Sequence, residues 1–144
     1  MPGAKKTVAT AIPCLRYHDA AAAVEWLCRA FGFEKLSVHE APGGRIAHAE
    51  LTFGNGMIML GSAGKFGGRY DEVATTAREA GGRSTQETYL VVEDPAAHYR
   101  QAVAAGAEVV IPLEDKRHGG AGYTCRDPEG NVWSFGSYDP WASA

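Results

Sequence analysis

The sequence predicts an α+β fold made of two βαβββ modules in tandem. Three observations carry that expectation. The chain has 144 residues, enough for one sizeable core and too few for two independent ones. Shifting it by 75 positions brings Asp19-Ala20-Ala21-Ala22 onto Asp94-Pro95-Ala96-Ala97 and Met57–Ser62 onto Val132–Ser137, the mark of an internal duplication. Within each half the apolar pattern reads strand, then helix, then strands.

The first half opens with a strand over Thr10–Tyr17 and the second with one over Glu87–Val92, both rich in β-favouring residues. Asp19 and Asp94 are N-caps, and Pro95 fits the first helical position. Val24, Leu27, Cys28 and Phe31 give the first helix an apolar face; Tyr99, Ala102, Val103 and Gly106 repeat it more weakly. Gly32 and Gly106 stand where C-terminal caps are needed. Three strands follow each helix: Glu34–His39, Arg45–Phe53 and Met57–Gly61, then Glu108–Pro112, Gly122–Arg126 and Val132–Gly136. Gly54-Asn55-Gly56 reads as a tight hairpin turn, and Asp127-Pro128-Glu129-Gly130-Asn131 as its counterpart. The organisation is therefore a first module over 7–62, a Gly-rich connector over 63–86 with a short helix at Asp71–Ala80 and a possible lid function, and a second module over 87–140.

Composition narrows the function. Hydrophobic residues make up 45% and charged residues 22%, an ordinary globular mix that excludes disordered and fibrous classes. A net charge of −3 argues against nucleic acid and anionic membrane as partners. No apolar run reaches the roughly 20 residues of a bilayer span, and Met1–Pro13 lacks an export-type apolar core. Cys14, Cys28 and Cys125 are too far apart for a zinc knuckle; they read as small buried hydrophobes in a reducing cytoplasm.

The local motifs carry a resemblance. Leu15-Arg16-Tyr17-His18-Asp19, Arg45-Ile46-Ala47-His48-Ala49-Glu50-Leu51 and Arg126-Asp127-Pro128-Glu129-Gly130-Asn131-Val132-Trp133 resemble the first strand, the third strand and the closing turn of the vicinal oxygen chelate superfamily, in particular its PhnB-like, glyoxalase-like branch. That superfamily holds glyoxalase I, extradiol dioxygenases and bleomycin-type antibiotic-binding proteins, and the resemblance covers about Thr10–Tyr138. It implies a curved mixed sheet, a cup, with helices outside, the site inside, and a homodimer. It speaks for fold more than for reaction, because one scaffold hosts many chemistries.

Strand alternation then sorts side chains. Leu51, Phe53, Ile58 and Leu60 face the helices, which leaves His48, Glu50, Thr52, Met57 and Met59 for the cup. Carried across the duplication, the same parity adds Ile12, Cys14 and Arg16, then Glu87, Tyr89 and Val91, then Tyr123 and Cys125, and finally Val132 and Ser134; it buries Trp133 and Phe135.

By resemblance, the metal-dependent members place one ligand at the first and last strand of each half. Those four positions here are Ile12, Met59, Glu87 and Ser134, and only Glu87 is a competent ligand for a hard divalent ion. No metal cofactor is therefore expected at the family's usual site. A displaced site of His48, Glu50 and Glu87 is the alternative for a divalent ion, set against His48 and Glu50 as a hydrogen-bonded pair in a wet pocket. Without metal, Glu50 in an apolar cup is a candidate general base, raised by desolvation and lowered by His48.

The leading expectation is a pocket for a small organic ligand, acting by binding alone. Tyr89 and Tyr123 stack on a planar molecule, Met57 and Met59 adapt around it, and Arg16, His48, Glu50, Glu87 and Ser134 orient its polar groups. The competing expectation is a lyase, isomerase or dioxygenase-like enzyme using the displaced metal or Glu50; a third is a regulatory dimer with a vestigial pocket. His18, His39 and His98 are assigned to the surface, and His118 to a basic rim loop. Gly64, Gly67 and Gly68 do not make a phosphate loop. Trp26 is placed in or at the edge of the core, and Tyr138 and Trp141 near the C-terminus either cap a partner's cup or fold back.

Overall fold

The computed structural model describes residues 7–64, 70–117 and 119–142; Gly67, Gly68 and His118 lie outside that set. The elements run β1(Cys14–Tyr17), α1(Ala20–Phe31), β2(Glu34–Ala41), β3(Arg45–Phe53), β4(Gly56–Ser62), α2(Tyr70–Val73), β5(Thr88–Val91), α3(Pro95–Ala104), β6(Glu108–Asp115), β7(Ala121–Arg126) and β8(Val132–Gly136). They form two four-stranded sheets, ordered β1-β4-β3-β2 and β5-β8-β7-β6. In each, the first strand lies parallel to the last and the other pairings are antiparallel. The fold is α+β, as the sequence predicts, and the single curved sheet resolves into two that do not pair with each other.

The duplication is visible in the register. Cys14 pairs with Met59 and Arg16 with Gly61; 75 positions on, Tyr89 pairs with Ser134 and Val91 with Gly136. The caps repeat as well. Asp19 Oδ1 accepts the Ala22 N–H and Asp94 Oδ1 the Ala97 N–H, each at 3.0 Å. Even the tight spots match: a Cβ at Gly61 would lie 2.9 Å from the Ala47 carbonyl oxygen, and one at Gly136 2.7 Å from the Tyr89 hydroxyl.

The equivalence breaks at one point. In the first module Glu50 pairs with Met59 and Leu51 with Ile58, whereas in the second Thr124 pairs with Ser134 and Cys125 with Trp133. The Asp127–Asn131 turn carries one residue more than a strict repeat allows, so β7 is offset by 74 rather than 75. A one-residue slip moves every side chain of a strand to its other face. Tyr123 and Cys125 therefore face the helices, not the cup: they are 1% and 0% exposed and lie beside Phe135 and Trp133. Tyr123 is a core residue here, and the stacking role expected of it is corrected. Burial pushes the Cys125 thiol up to about 12, which makes it inert.

Several boundaries differ from expectation: β2 runs on to Ala41, β5 covers only Thr88–Val91, β6 runs on to Asp115, and β1 and α2 are shorter. β1 starts at Cys14 because Pro13 has no N–H to offer; its carbonyl still accepts the Met59 N–H at 2.9 Å. The connector helix over Asp71–Ala80 shrinks to Tyr70–Val73. Beyond it the buried Thr76 turns its hydroxyl back to the Glu79 N–H at 3.2 Å, a local bond that competes with helix.

One core joins both modules. Phe31 of α1 packs on Trp133 and Phe135 of β8 at ring distances of 5.5 and 4.6 Å, and Phe53 of β3 meets Phe135 at 6.5 Å. Trp26 is buried and its Nε1–H donates to the Ala105 carbonyl at 2.8 Å, tying α1 to the end of α3. His98 is not a surface residue. Its Nε2–H donates to the Phe31 carbonyl at 2.8 Å, so Nδ1 is the acceptor for the Tyr123 hydroxyl at 2.6 Å, and burial lowers its pKa, keeping the ring neutral.

The closing turn is a second tie. Asp127 is buried and accepts from the Tyr17 hydroxyl (2.6 Å), the Trp133 indole (3.1 Å) and the backbone N–H groups of Glu129 and Asn131 (3.0 Å each). The buried Glu129 accepts the N–H groups of His18 and Asp19 at 2.7 and 2.8 Å, at the start of α1. His18 itself is exposed and meets Glu79 at 3.0 Å.

Candidate functional site

Each sheet has one face on the shared core and one face free of helices. On the first sheet the helix-free face carries Cys14 and Arg16 of β1, His48, Glu50 and Thr52 of β3, and Met57 and Met59 of β4; the register places Glu50 beside Met59 and Thr52 beside Met57. Their partners in alternation, Ala49, Leu51, Ile58 and Leu60, are all buried in the core. Cys14 is exposed on this face, against the expectation of a buried thiol, while Cys28 is part-buried; all three cysteines are free.

A polar chain crosses the face. Ser37 Oγ–H donates to Glu50 Oε1 at 2.8 Å, and His48 Nε2 lies 3.0 Å from Glu50 Oε2. His39 of β2 pairs with His48 and its ring lies 6.1 Å from it, so His39 belongs to this face too. The His48 imidazole, and next the Ser37 hydroxyl, hold the Glu50 carboxyl below the usual range. Glu50 is thus an ionised acceptor with both oxygens engaged, and not the base of raised pKa that an apolar cup implies. Because a carboxylate only accepts, His48 Nε2 carries a hydrogen, and Nδ1 is left to face a ligand.

Beside this chain lies a cavity of about 810 Å³. Arg16, His48 and Met59 line it, and across from them Gln86 and Glu87 precede β5. Tyr70, Ala74 and Thr75 supply a further wall from the connector, and Asn131 and Val132 another from the second module. Of the residues singled out in the sequence, the structure gathers Arg16, His48, Met59 and Glu87 here. Glu50 stands behind His48, and Met57 lies further along the face. Tyr89 and Ser134 belong to the second sheet's free face, where Tyr89 donates to the Tyr138 carbonyl at 2.7 Å and Ser134 Oγ bonds Thr124 Oγ1 at 2.7 Å. Tyr70, Thr75, Gln86 and Asn131 were not foreseen, since no periodicity reaches into an irregular connector or a turn.

The residues do not fit a metal. At the family's four positions Ile12 has no donor atom, the Met59 thioether suits only soft ions, and the Ser134 hydroxyl is engaged with Thr124. His48 and Glu50 are bonded to each other, and among the described residues no three His, Cys, Asp or Glu side chains stand together as a metal site, so Glu87 does not complete the displaced set.

Fold and site together define a class: tandem βαβββ modules that hold a ligand-sized cavity on a sheet face, with no metal cluster among the described residues. The chain belongs to the Glyoxalase/Bleomycin resistance protein/Dioxygenase superfamily, whose family model matches residues 8–135. It is 35% identical to TioX from Micromonospora sp. ML1, with a TM-score of 0.70 over 89% of this chain and 97% of that one. An uncharacterized protein of Mycobacterium bovis is 32% identical over 86% of this chain and 80% of its own length. Fosfomycin resistance protein FosX from Mesorhizobium loti shares the fold at 9% identity, with a TM-score of 0.63 over 94% of this chain and 95% of its own. No helix among the described residues is long and apolar enough to cross a membrane.

Proposed function

We propose that this protein binds a small organic molecule in the cavity beside Arg16, His48 and Met59, and acts by binding, as the antibiotic-binding members of its superfamily do. The observation that carries this reading is the mixed lining: an adaptable thioether, a histidine with one free ring nitrogen and an arginine around a space of about 810 Å³, within the ordinary range for drug-sized ligands. The partner closing the cavity is a second copy of the chain. Each sheet leaves one face without helices, and that of the second sheet carries Tyr89, Val91 and Ile111, each about two-fifths exposed. An apolar face of this kind suits the Met-bearing face of another copy. Free thiols on three cysteines fit a cytoplasmic setting.

A second reading is favoured by the Ser37–Glu50–His48 chain. Here His48 Nδ1 takes a proton from a bound substrate while Glu50 fixes the ring, a lyase or isomerase arrangement. Its signature is a substrate whose turnover collapses in His48→Gln with binding retained.

Nile red, a neutral planar dye, tests the first reading. Titrated into the protein it is expected to saturate near one dye per chain, and Met59→Trp, which fills the cavity, is expected to weaken it about tenfold or more, roughly 1.4 kcal/mol, with the far-UV spectrum and the unfolding midpoint unchanged. Equal affinity in both proteins, or no saturable binding, contradicts the assignment.

A further inference from the structure

Two donor atoms stand out when every buried polar side-chain atom is followed to its partner. Among the described residues only Arg16 Nε and Asn131 Nδ2 are buried with no hydrogen-bond partner. Both residues line the cavity. Asn131 is, however, a hydrogen-bonding neighbour of the buried Tyr17 hydroxyl and lowers its pKa, so its amide is turned to the core and Arg16 Nε is the donor left over at the cavity. An arginine with a donor to spare beside a ligand-sized space suits a ligand that accepts.

Arg16 is built for that task. Its side chain is 24% exposed, its guanidinium lies 5.0 Å from the centre of the Tyr70 ring, and one terminal nitrogen is 3.6 Å from Asp71 Oδ1. Asp71 Oδ1 also accepts the Gly64 N–H at 3.2 Å. Stacking and this long, shared ion pair hold the guanidinium in place without using its Nε–H. Arg16 is the only arginine or lysine among the described lining residues. A guanidinium binds a carboxylate or phosphate oxygen with charge-assisted hydrogen bonds about twice as strong as neutral ones.

We propose that the ligand is an anionic organic acid whose acid group is received by Arg16. This rests on the binding reading above and adds the chemical class of the ligand. Asp71 and Glu87, the acidic groups at the same cavity, oppose an anion and set its affinity. Asp71 positions the arginine at a cost in net attraction.

The test uses an isosteric pair, 2-naphthoate and 2-naphthamide, displacing Nile red from the full chain. The native protein is expected to prefer the acid about tenfold at low salt. Arg16→Gln is expected to erase that preference, lowering naphthoate affinity about tenfold more than naphthamide affinity, and Arg16→Lys to keep part of it. Arg16 lies on a sheet face outside the core, so these variants are expected to keep the native near-UV spectrum. Equal affinity for acid and amide in the native protein, or a preference that survives Arg16→Gln, overturns the proposal and leaves small-molecule binding standing. Failure of Nile red itself to bind removes the binding reading and this inference with it.

Discussion

Asp127→Ala is expected to destabilise the protein by about 3–5 kcal/mol, a large share of the roughly 5–15 kcal/mol available to a domain of this size. The carboxylate is 4% exposed and receives four donors, two from backbone and two from the Tyr17 and Trp133 side chains. Alanine strands all of them in a dry interior. Tyr17 belongs to β1 and Trp133 to β8, so the same oxygen, Oδ2, fastens the first module to the second. Burial, and next the negative charge of Asp127, hold the Tyr17 phenol protonated far above its ordinary range, so the hydroxyl stays a donor at any working pH. Urea unfolding followed by tryptophan fluorescence measures the effect. Tyr17→Phe, which removes one donor and leaves the acceptor, is expected to cost less, about 1–2 kcal/mol. A loss below about 1 kcal/mol in Asp127→Ala would show that the turn closes without its carboxylate.

If a second copy closes the cavity, as proposed, Ile111→Glu is expected to turn a native dimer into monomers and to weaken Nile red at least tenfold in the same protein. Ile111 pairs with Thr124 on the free face of the second sheet and is 40% exposed, so a carboxylate there meets water in the single chain and leaves the fold intact. In a two-copy assembly that face is covered, and burying an unpaired charge is costly. Light scattering over a concentration series reads the assembly state. A dimer that persists in Ile111→Glu, or a monomer with undiminished dye binding, contradicts a cavity closed by a second copy.

The repeat made most of the fold legible. Matching N-caps at Asp19 and Asp94 and the apolar spacing of the first helix led to the observed elements because local backbone chemistry decides them. Tyr123 shows where a duplication misleads: one extra turn residue between β7 and β8 reverses a strand, and no pattern within β7 reveals it, since Tyr, Thr and Cys suit either face. His98 shows a second limit. A histidine on a helix flank reads as solvent-facing until β7 of its own module brings Tyr123 to it and the first module brings the Phe31 carbonyl. The site was legible where strands built it, at Arg16, His48 and Met59, and just ahead of one at Glu87, and hidden where it was built by Tyr70, Thr75 and Asn131 from the connector and a turn.

The central claim is that the helix-free face around Arg16, His48 and Met59 holds the ligand. Hydrogen–deuterium exchange of the full protein with and without saturating Nile red locates the binding directly. Protection is expected in the peptides spanning 13–17, 46–49, 57–61 and 84–88, with the α1 surface unchanged. Protection confined to α1 and the Asp127–Asn131 turn, where a smaller cavity of about 380 Å³ lies, or no protection along the first sheet, would contradict it.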